Sequence, residues 1–289
     1  MSSSYSNLLR KWISKDELKR LFFALYMDLV NFYSDRSILG HNDVVVSMTS
    51  YGNRIKQVHR AIESIGRGSQ KPRRFILWLS TKDLNRPLPI PLERLKRRGL
   101  EVCGCEDTKS FKKFYPYVTS LKSTYPLVTS DDDLFYPRWW LSSLLEFSNI
   151  YPDNIIAHRC KVISLKENKL APYESWEFVN QSLVFSKRFF PTSGAGVIYP
   201  FHFLRFLSRA GNDFLKCCPN ADDLWLHVNS VRADILSCQT YDSPMELIQM
   251  PWTWNSALCL KNVLQQGNDR QIEKTYNKSD IQSIFKEII

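Results

Sequence analysis

The chain has 289 residues, 44% of them hydrophobic and 24% charged, which suits a folded protein with a sizeable core and excludes a wholly disordered one. Its formal charge of +10 admits nucleic acid, an anionic membrane surface or small anionic substrates as partners. No helix-turn-helix, zinc-finger, RNP or KH signature is present, so nucleic acid is not an expected partner.

Met1 to Arg10 lacks the basic-then-apolar pattern of a secretory signal, and no apolar run approaches the roughly 18 residues needed to span a bilayer. A cytoplasmic location is expected. Seven cysteines, odd in number and without zinc-ribbon spacing, agree with free thiols in a reducing compartment. Residues 14–33 predict a helix, with Ser14 and Glu17 in capping-box spacing and Leu18, Leu21, Phe22, Leu25, Leu29 and Phe32 recurring on one face. That face either packs on the main domain or lies on the inner membrane surface as a peripheral contact.

From Asp43 the pattern alternates. Val44 to Thr49 reads as a buried parallel strand, followed by the turn-rich Ser50 to Arg54 and a helix over about 55–66. Arg74 to Leu79 is a second strand, about 91–98 a helix, and Leu100 to Cys103 a third strand, on which Cys103 and Cys105 face the same side. A helix over about 111–122 leads to Leu127 to Ser130, a fourth strand running straight into Asp131. Strands alternating with helices predict a doubly wound, parallel α/β sheet. Further on, 155–158, 161–165 and 194–199 read as strands, and 200–209 and 222–230 as helices. There is no internal repeat and no convincing linker after residue 43.

Ser130-Asp131-Asp132-Asp133-Leu134-Phe135-Tyr136-Pro137 is the most informative stretch. Adjacent carboxylates repel, so a clustered set is costly unless a cation neutralises it. In open α/β sheets ligands bind beyond the carboxyl ends of strands, where this triplet stands. Continued extension would turn Asp131 and Asp133 to one side and Asp132 to the other, letting the first and third share Mg²⁺ or Mn²⁺ through oxygen ligands. The alternative is a solvated acidic loop. In the loop after the first strand, Tyr51 can stack on a base and Arg54 can pair with phosphate oxygens, or both are ordinary surface residues. Lys113 and Lys122 are candidate donor-site cations or solvated helix residues. In Thr192-Ser193-Gly194-Ala195-Gly196-Val197, the glycines permit close approach of a sugar or phosphate, or simply form a tight turn.

The order of elements resembles the GT-A glycosyltransferases. Phe114 to Lys122, followed by Val128-Thr129-Ser130-Asp131-Asp132-Asp133-Leu134-Phe135-Tyr136-Pro137, is similar to bacterial enzymes of that type in surface-polysaccharide synthesis. The resemblance covers about 43–270 and implies a GT-A, Rossmann-like domain over 41–289, with 1–40 as an N-terminal helical extension. It implies a divalent cation (Mn²⁺ or Mg²⁺), a nucleotide-sugar donor, and a glycan or lipid-linked saccharide acceptor, in lipopolysaccharide or capsule synthesis.

By the same resemblance Asp131 meets the ribose or a metal-bound water and Asp133 ligates the metal, with Asp131 and Asp132 in the donor site. Thr49, Ser50, Tyr51 and Arg54 hold the base and phosphates, and Gly194 and Gly196 lie near the donor sugar. Of Asp222 and Asp223, the second is the preferred acceptor base in an inverting mechanism. The bland reading is that both favour the positive end of a helix. Arg270 can reach the diphosphate, and Asn268 or Asp269 can stand in for a further metal ligand, or this stretch is a turn. His59, His158, His202 and His227 have no ligand spacing. A nucleotidyltransferase fits the fold but lacks its glycine-rich phosphate loop. A non-catalytic carbohydrate-binding protein would use the eight Trp and thirteen Tyr but leaves the triplet unexplained.

Overall fold

The computed structural model describes residues 15–120, 124–167, 169–251 and 267–286. Lys122, Ser14 and Met1 to Arg10, which carried expectations above, lie outside the described residues.

The expected fold class is the one observed: an α/β protein with a large, mostly parallel, Rossmann-like sheet flanked by helices. In chain order its main elements are α1 (Lys15–Tyr33), β1 (Asn42–Thr49), α2 (His59–Gly66), β2 (Pro72–Ser80), α3 (Ile90–Arg97) and β3 (Leu100–Cys105). Next come α4 (Tyr115–Thr119), β4 (Leu127–Ser130), α5 (Trp140–Ile150), β5 (Ile155–Ala157), β6 (Phe185–Ser186) and β7 (Val197–Tyr199). The chain continues through α6 (Phe201–Arg209), α7 (Asp222–Arg232), β8 (Ser237–Gln239), α8 (Gly267–Thr275) and α9 (Lys278–Phe285). Strand order across the eight-stranded sheet is β6-β8-β5-β7-β4-β1-β2-β3.

The run of β-branched residues in β1 is buried on both faces, as parallel strands between helical layers are. Val45 faces one core, with Trp78, Leu127 and Trp225, while Val44, Val46 and Met48 face the other, with Leu77, Val128 and Trp140. Three differences from the predicted elements matter. First, the sheet is not parallel throughout: β7 runs antiparallel to both β4 and β5, and β6 antiparallel to β8. Second, the helix predicted over about 111–122 is split into a 3-10 turn, Lys109–Lys113, and the short α4, with Pro116 in its first turn. A proline is tolerated in a first turn but not in a helix interior. Third, two predicted strands shorten: the first covers Cys160–Val162, and 194–199 becomes a 3-10 turn, Ser193–Ala195, followed by β7.

Helix α1 docks on α2 and α3 through a face that mixes polar and apolar residues. Asp28 pairs with His59 and Arg60, and Asn31 donates to Glu63 Oε1 at 2.9 Å, which also receives Arg98. Ala24 and Met27 supply the buried apolar contacts. Of the apolar face noted in the sequence, Leu21 is half-buried, but Leu18, Phe22, Leu25, Leu29 and Phe32 point to solvent, so packing of most of that face on the protein is not what occurs. Among the described residues no helix is long and apolar enough to cross a membrane.

Candidate active site

Sheet register assembles the site. Met48 of β1 is paired with Ser130 of β4, so the loops leaving these parallel strands run side by side, and Ser50 Oγ donates to Asp132 Oδ2 at 2.6 Å. Antiparallel β7 pairs Val197 with Thr129, which returns the segment before it to the same end of β4. Tyr136 fixes the join: the Asp131 N–H donates to its hydroxyl at 2.7 Å, and that hydroxyl donates to the Gly194 carbonyl at 2.9 Å.

The triplet is not extended. The chain turns at Asp132 and Asp133, which corrects the alternation expected from the sequence. Asp132 and Asp133 therefore share one partner, the Arg54 guanidinium, at 2.7 and 2.5 Å. Asp131 accepts from Lys113 Nζ at 2.7 Å and stands close enough to Asp133 for its charge to act on it. Lys113 is buried, its backbone carbonyl anchored by Ser47 Oγ at 2.5 Å. Its ammonium also meets Ser193 Oγ at 2.9 Å and Asp222 Oδ2 at 3.1 Å. Asp223 stands beside it, with Oδ1 accepting from the Ser193 N–H at 3.1 Å. Both aspartates occupy the first turn of α7, where carboxylates are favoured.

Two chemically different carboxylate sets are thus joined through one lysine. Burial opposes the charge on Asp131, but Lys113 beside it, with Arg54 and Arg159 further off, holds its pKa below the ordinary value. Burial pushes Asp132 up to about 7, reinforced by its acidic neighbours and opposed by Arg54. Asp133 is raised for the same reason. Asp223 is pushed up to about 7 by burial and by Asp222. Burial disfavours the Lys113 charge, yet Asp131, Asp222 and Asp223 together hold its pKa well above normal.

Among the described residues, no three His, Cys, Asp or Glu side chains stand ready as a metal site. The donor set nevertheless fits a hard divalent ion. It is all oxygen, and burial, reinforced by the neighbouring carboxylates, leaves Asp132, Asp133 and Asp223 drawn towards their neutral forms. Arg54 is suited to an anion. Among the described residues its Nε is buried with no hydrogen-bond partner, and its guanidinium lies 5.5 Å from the half-exposed Tyr51 ring.

Of the residues singled out in the sequence, Ser50, Arg54, Lys113, Asp131, Asp132, Asp133, Gly194, Asp222 and Asp223 come together here. Thr49 Oγ1 donates to the Trp78 carbonyl and serves the strand end. Gly196 packs against the Trp140 indole. Arg270 is exposed on α8, with no described bond to the carboxylates, and neighbouring Asp269 accepts from the Tyr173 N–H. The histidines have other tasks. His158 bonds Thr240 and the Trp140 carbonyl, His227 bonds Tyr276 and the Lys187 carbonyl, and burial lowers both to about 4. Sequence reasoning did not single out Ser193, Tyr136 or Arg159 as site residues. Tyr136 closes the acidic stretch itself, and Ser193 precedes Gly194, so proximity in sequence was their available signal.

The two glycines separate site from scaffold. A Cβ on Gly194 would stand 2.3 Å from Asp131 Oδ2, the movable end of a site side chain. A Cβ on Gly196 would stand 2.3 Å from Trp140 Nε1, at a φ of +114° that side chains rarely adopt. We expect Gly196→Ala to destabilise the fold by at least about 2 kcal/mol in chemical denaturation. Gly194→Ala, which needs only the end of the Asp131 side chain to shift, is expected to cost less stability than Gly196→Ala while displacing Asp131 and losing ligand binding.

No family model matches the sequence, and no curated protein matches it. Among solved structures, the chain is similar to 4-diphosphocytidyl-2C-methyl-D-erythritol synthase from Anaerococcus prevotii. The identity is 9%, the match covers 79% of this chain and 98% of that one, and the TM-score is 0.45. It is also similar to S. aureus TarS 1–349, with 11% identity over 65% of this chain and 55% of that one and a TM-score of 0.43.

Proposed function

We propose that this chain is a metal-dependent glycosyltransferase, moving a sugar from a nucleotide-sugar donor to a hydroxyl of a glycan or lipid-linked acceptor. The family resemblance of its acidic segment suggests bacterial lipopolysaccharide or capsule synthesis on the cytoplasmic side. The observation that carries the reading is the Lys113 bridge, which sets the triplet and the Asp222–Asp223 pair at one spot beyond the carboxyl ends of β1 and β4.

Asp131 and Asp133 would hold the divalent ion, which supplies charge neutralisation to the leaving diphosphate. Arg54 offers its guanidinium to the phosphates, and Tyr51 its ring to the base. Asp223 takes the acceptor proton: it is half-buried, oriented by the Ser193 N–H, and its pKa near 7 makes it a stronger base than an ordinary carboxylate. A base separate from the leaving group gives inversion at the anomeric carbon. Lys113 keeps Asp131 and Asp222 at a fixed spacing between the donor and acceptor sides.

The test is thermal shift with a panel of nucleoside diphosphates, with and without Mn²⁺. One nucleotide is expected to stabilise the protein only with metal, by about 2.7 kcal/mol at a hundred times its Kd. An absence of any shift at saturating nucleotide would remove the donor site. Asp223 sets the pH dependence. As a base it must be ionised, so kcat/KM is expected to rise with pH through about 7, and Asp223→Asn to lose about 10²–10⁴-fold. Stability should run the other way. The folded state keeps a proton that an unfolded carboxylate releases near 3.8, so this contribution fades as pH climbs from about 4 to about 7. A rate flat across that range would exclude Asp223 as the base.

A further inference from the structure

Helix α1 carries apolar residues on two faces. One packs on the protein through Ala24 and Met27 together with Asp28 and Asn31, while on the other Leu18, Phe22, Leu25, Leu29 and Phe32 stand between 48% and 65% exposed. Their spacing of three and four places them on one stripe along the helix. Contiguous exposed apolar surface of this kind marks an interaction site. The docking is firm enough to hold the stripe outward: Asp28 takes two bonds from Arg60, and buried Glu63 binds Asn31 and Arg98 together.

The margins are cationic. Lys15 and Lys19 are exposed on α1, Arg67 lies 4.9 Å from the Tyr26 ring, and Arg94 of α3 lies 4.7 Å from the Phe32 ring. Asp28 is neutralised by Arg60 and His59, leaving Asp16 and Glu17 in the first turn as the helix's other acids. An apolar stripe rimmed by Lys and Arg, on a chain of charge +10, is complementary to an anionic lipid surface. A second copy is a poorer occupant, because its identical rim would set like charges against these.

We propose that α1 docks the protein on anionic bilayers, burying Phe22, Leu25 and Leu29 at the headgroup boundary with Lys15, Lys19, Arg67 and Arg94 against the lipid phosphates. The full-length protein is expected to float with vesicles of phosphatidylglycerol mixed with phosphatidylethanolamine, and at least about tenfold less with pure phosphatidylcholine. The triple variant Phe22→Ser, Leu25→Ser, Leu29→Ser is expected to lose at least about tenfold in binding with little change in melting temperature, since these side chains are exposed. Lys15→Glu with Lys19→Glu, which leaves the apolar stripe intact, should weaken binding and reduce its salt dependence. Failure to float with the anionic vesicles, or equal flotation of the triple variant, overturns the proposal. So does a lipid-free dimer that the triple variant dissolves, which would make the stripe a contact between copies. Vesicle binding needs neither donor nor acceptor, so its outcome is separable from that of the transfer reaction.

Discussion

Asp133→Ala is expected to lower kcat by about 10³-fold while leaving the fold intact or slightly more stable. The carboxylate is held by Arg54, but burial and the neighbouring aspartates raise its pKa, so its charge is costly where it stands. Removing it leaves Arg54 paired with Asp132 at 2.7 Å, and no buried cation is stranded. The loss in rate follows from losing an oxygen ligand for the ion that stabilises developing charge, an effect typically of this size. Steady-state kinetics on the matched nucleotide sugar, read beside a melting curve, check both halves. A variant that melts normally and transfers sugar at the native rate would exclude the metal role of the triplet. A variant that unfolds would mean that Asp133 serves the scaffold.

The second large effect is expected at Lys113, and it falls on stability. Lys113→Met removes a buried ammonium that faces Asp131 and Asp222 at 2.7 and 3.1 Å. Methionine keeps the stem and deletes the charge, leaving carboxylates without their partner. Breaking a buried ion pair from one side costs about 3–5 kcal/mol. At roughly 2 °C per kcal/mol for a chain of this size, the melting temperature should fall by about 6–10 °C. Adding Asp222→Asn should recover part of the loss, because it removes one of the stranded charges. Recovery in the double variant separates an electrostatic role from simple packing, which a second substitution nearby would only worsen. Both variants should be poor catalysts, since Lys113 also positions Ser193, whose N–H holds Asp223.

Much of the scaffold was legible because its signals are local. A β-branched run bounded by turn residues reads as a buried strand wherever it occurs, and β1, β2 and β4 fall where their runs lie. The triplet was legible for a similar reason: adjacent carboxylates following an apolar strand are costly enough to need an explanation. Even the Asp222–Asp223 pair at the start of α7 could be read from a helix-start pattern.

The sequence by itself determined the α/β class, the strand from which the acidic segment leaves, and the residue types available for donor, metal and base. Tertiary structure decided which of them meet. Lys113 reads in sequence as either a donor-site cation or a solvated helix lysine, and the split at Pro116 and the anchor from Ser47 bury it between two carboxylates. Gly194 and Gly196 looked equivalent, but the turn into antiparallel β7 aims one at Asp131 and the other at Trp140. The apolar stripe of α1 could face either way in sequence, and the ion pairs of Asp28, the bond from Asn31 to Glu63 and the burial of Ala24 and Met27 turned it outward. The reason is common to all three. Periodicity and local charge act over a few residues, whereas partners up to about a hundred residues apart are brought together by sheet register and by the demand that buried charges be paired.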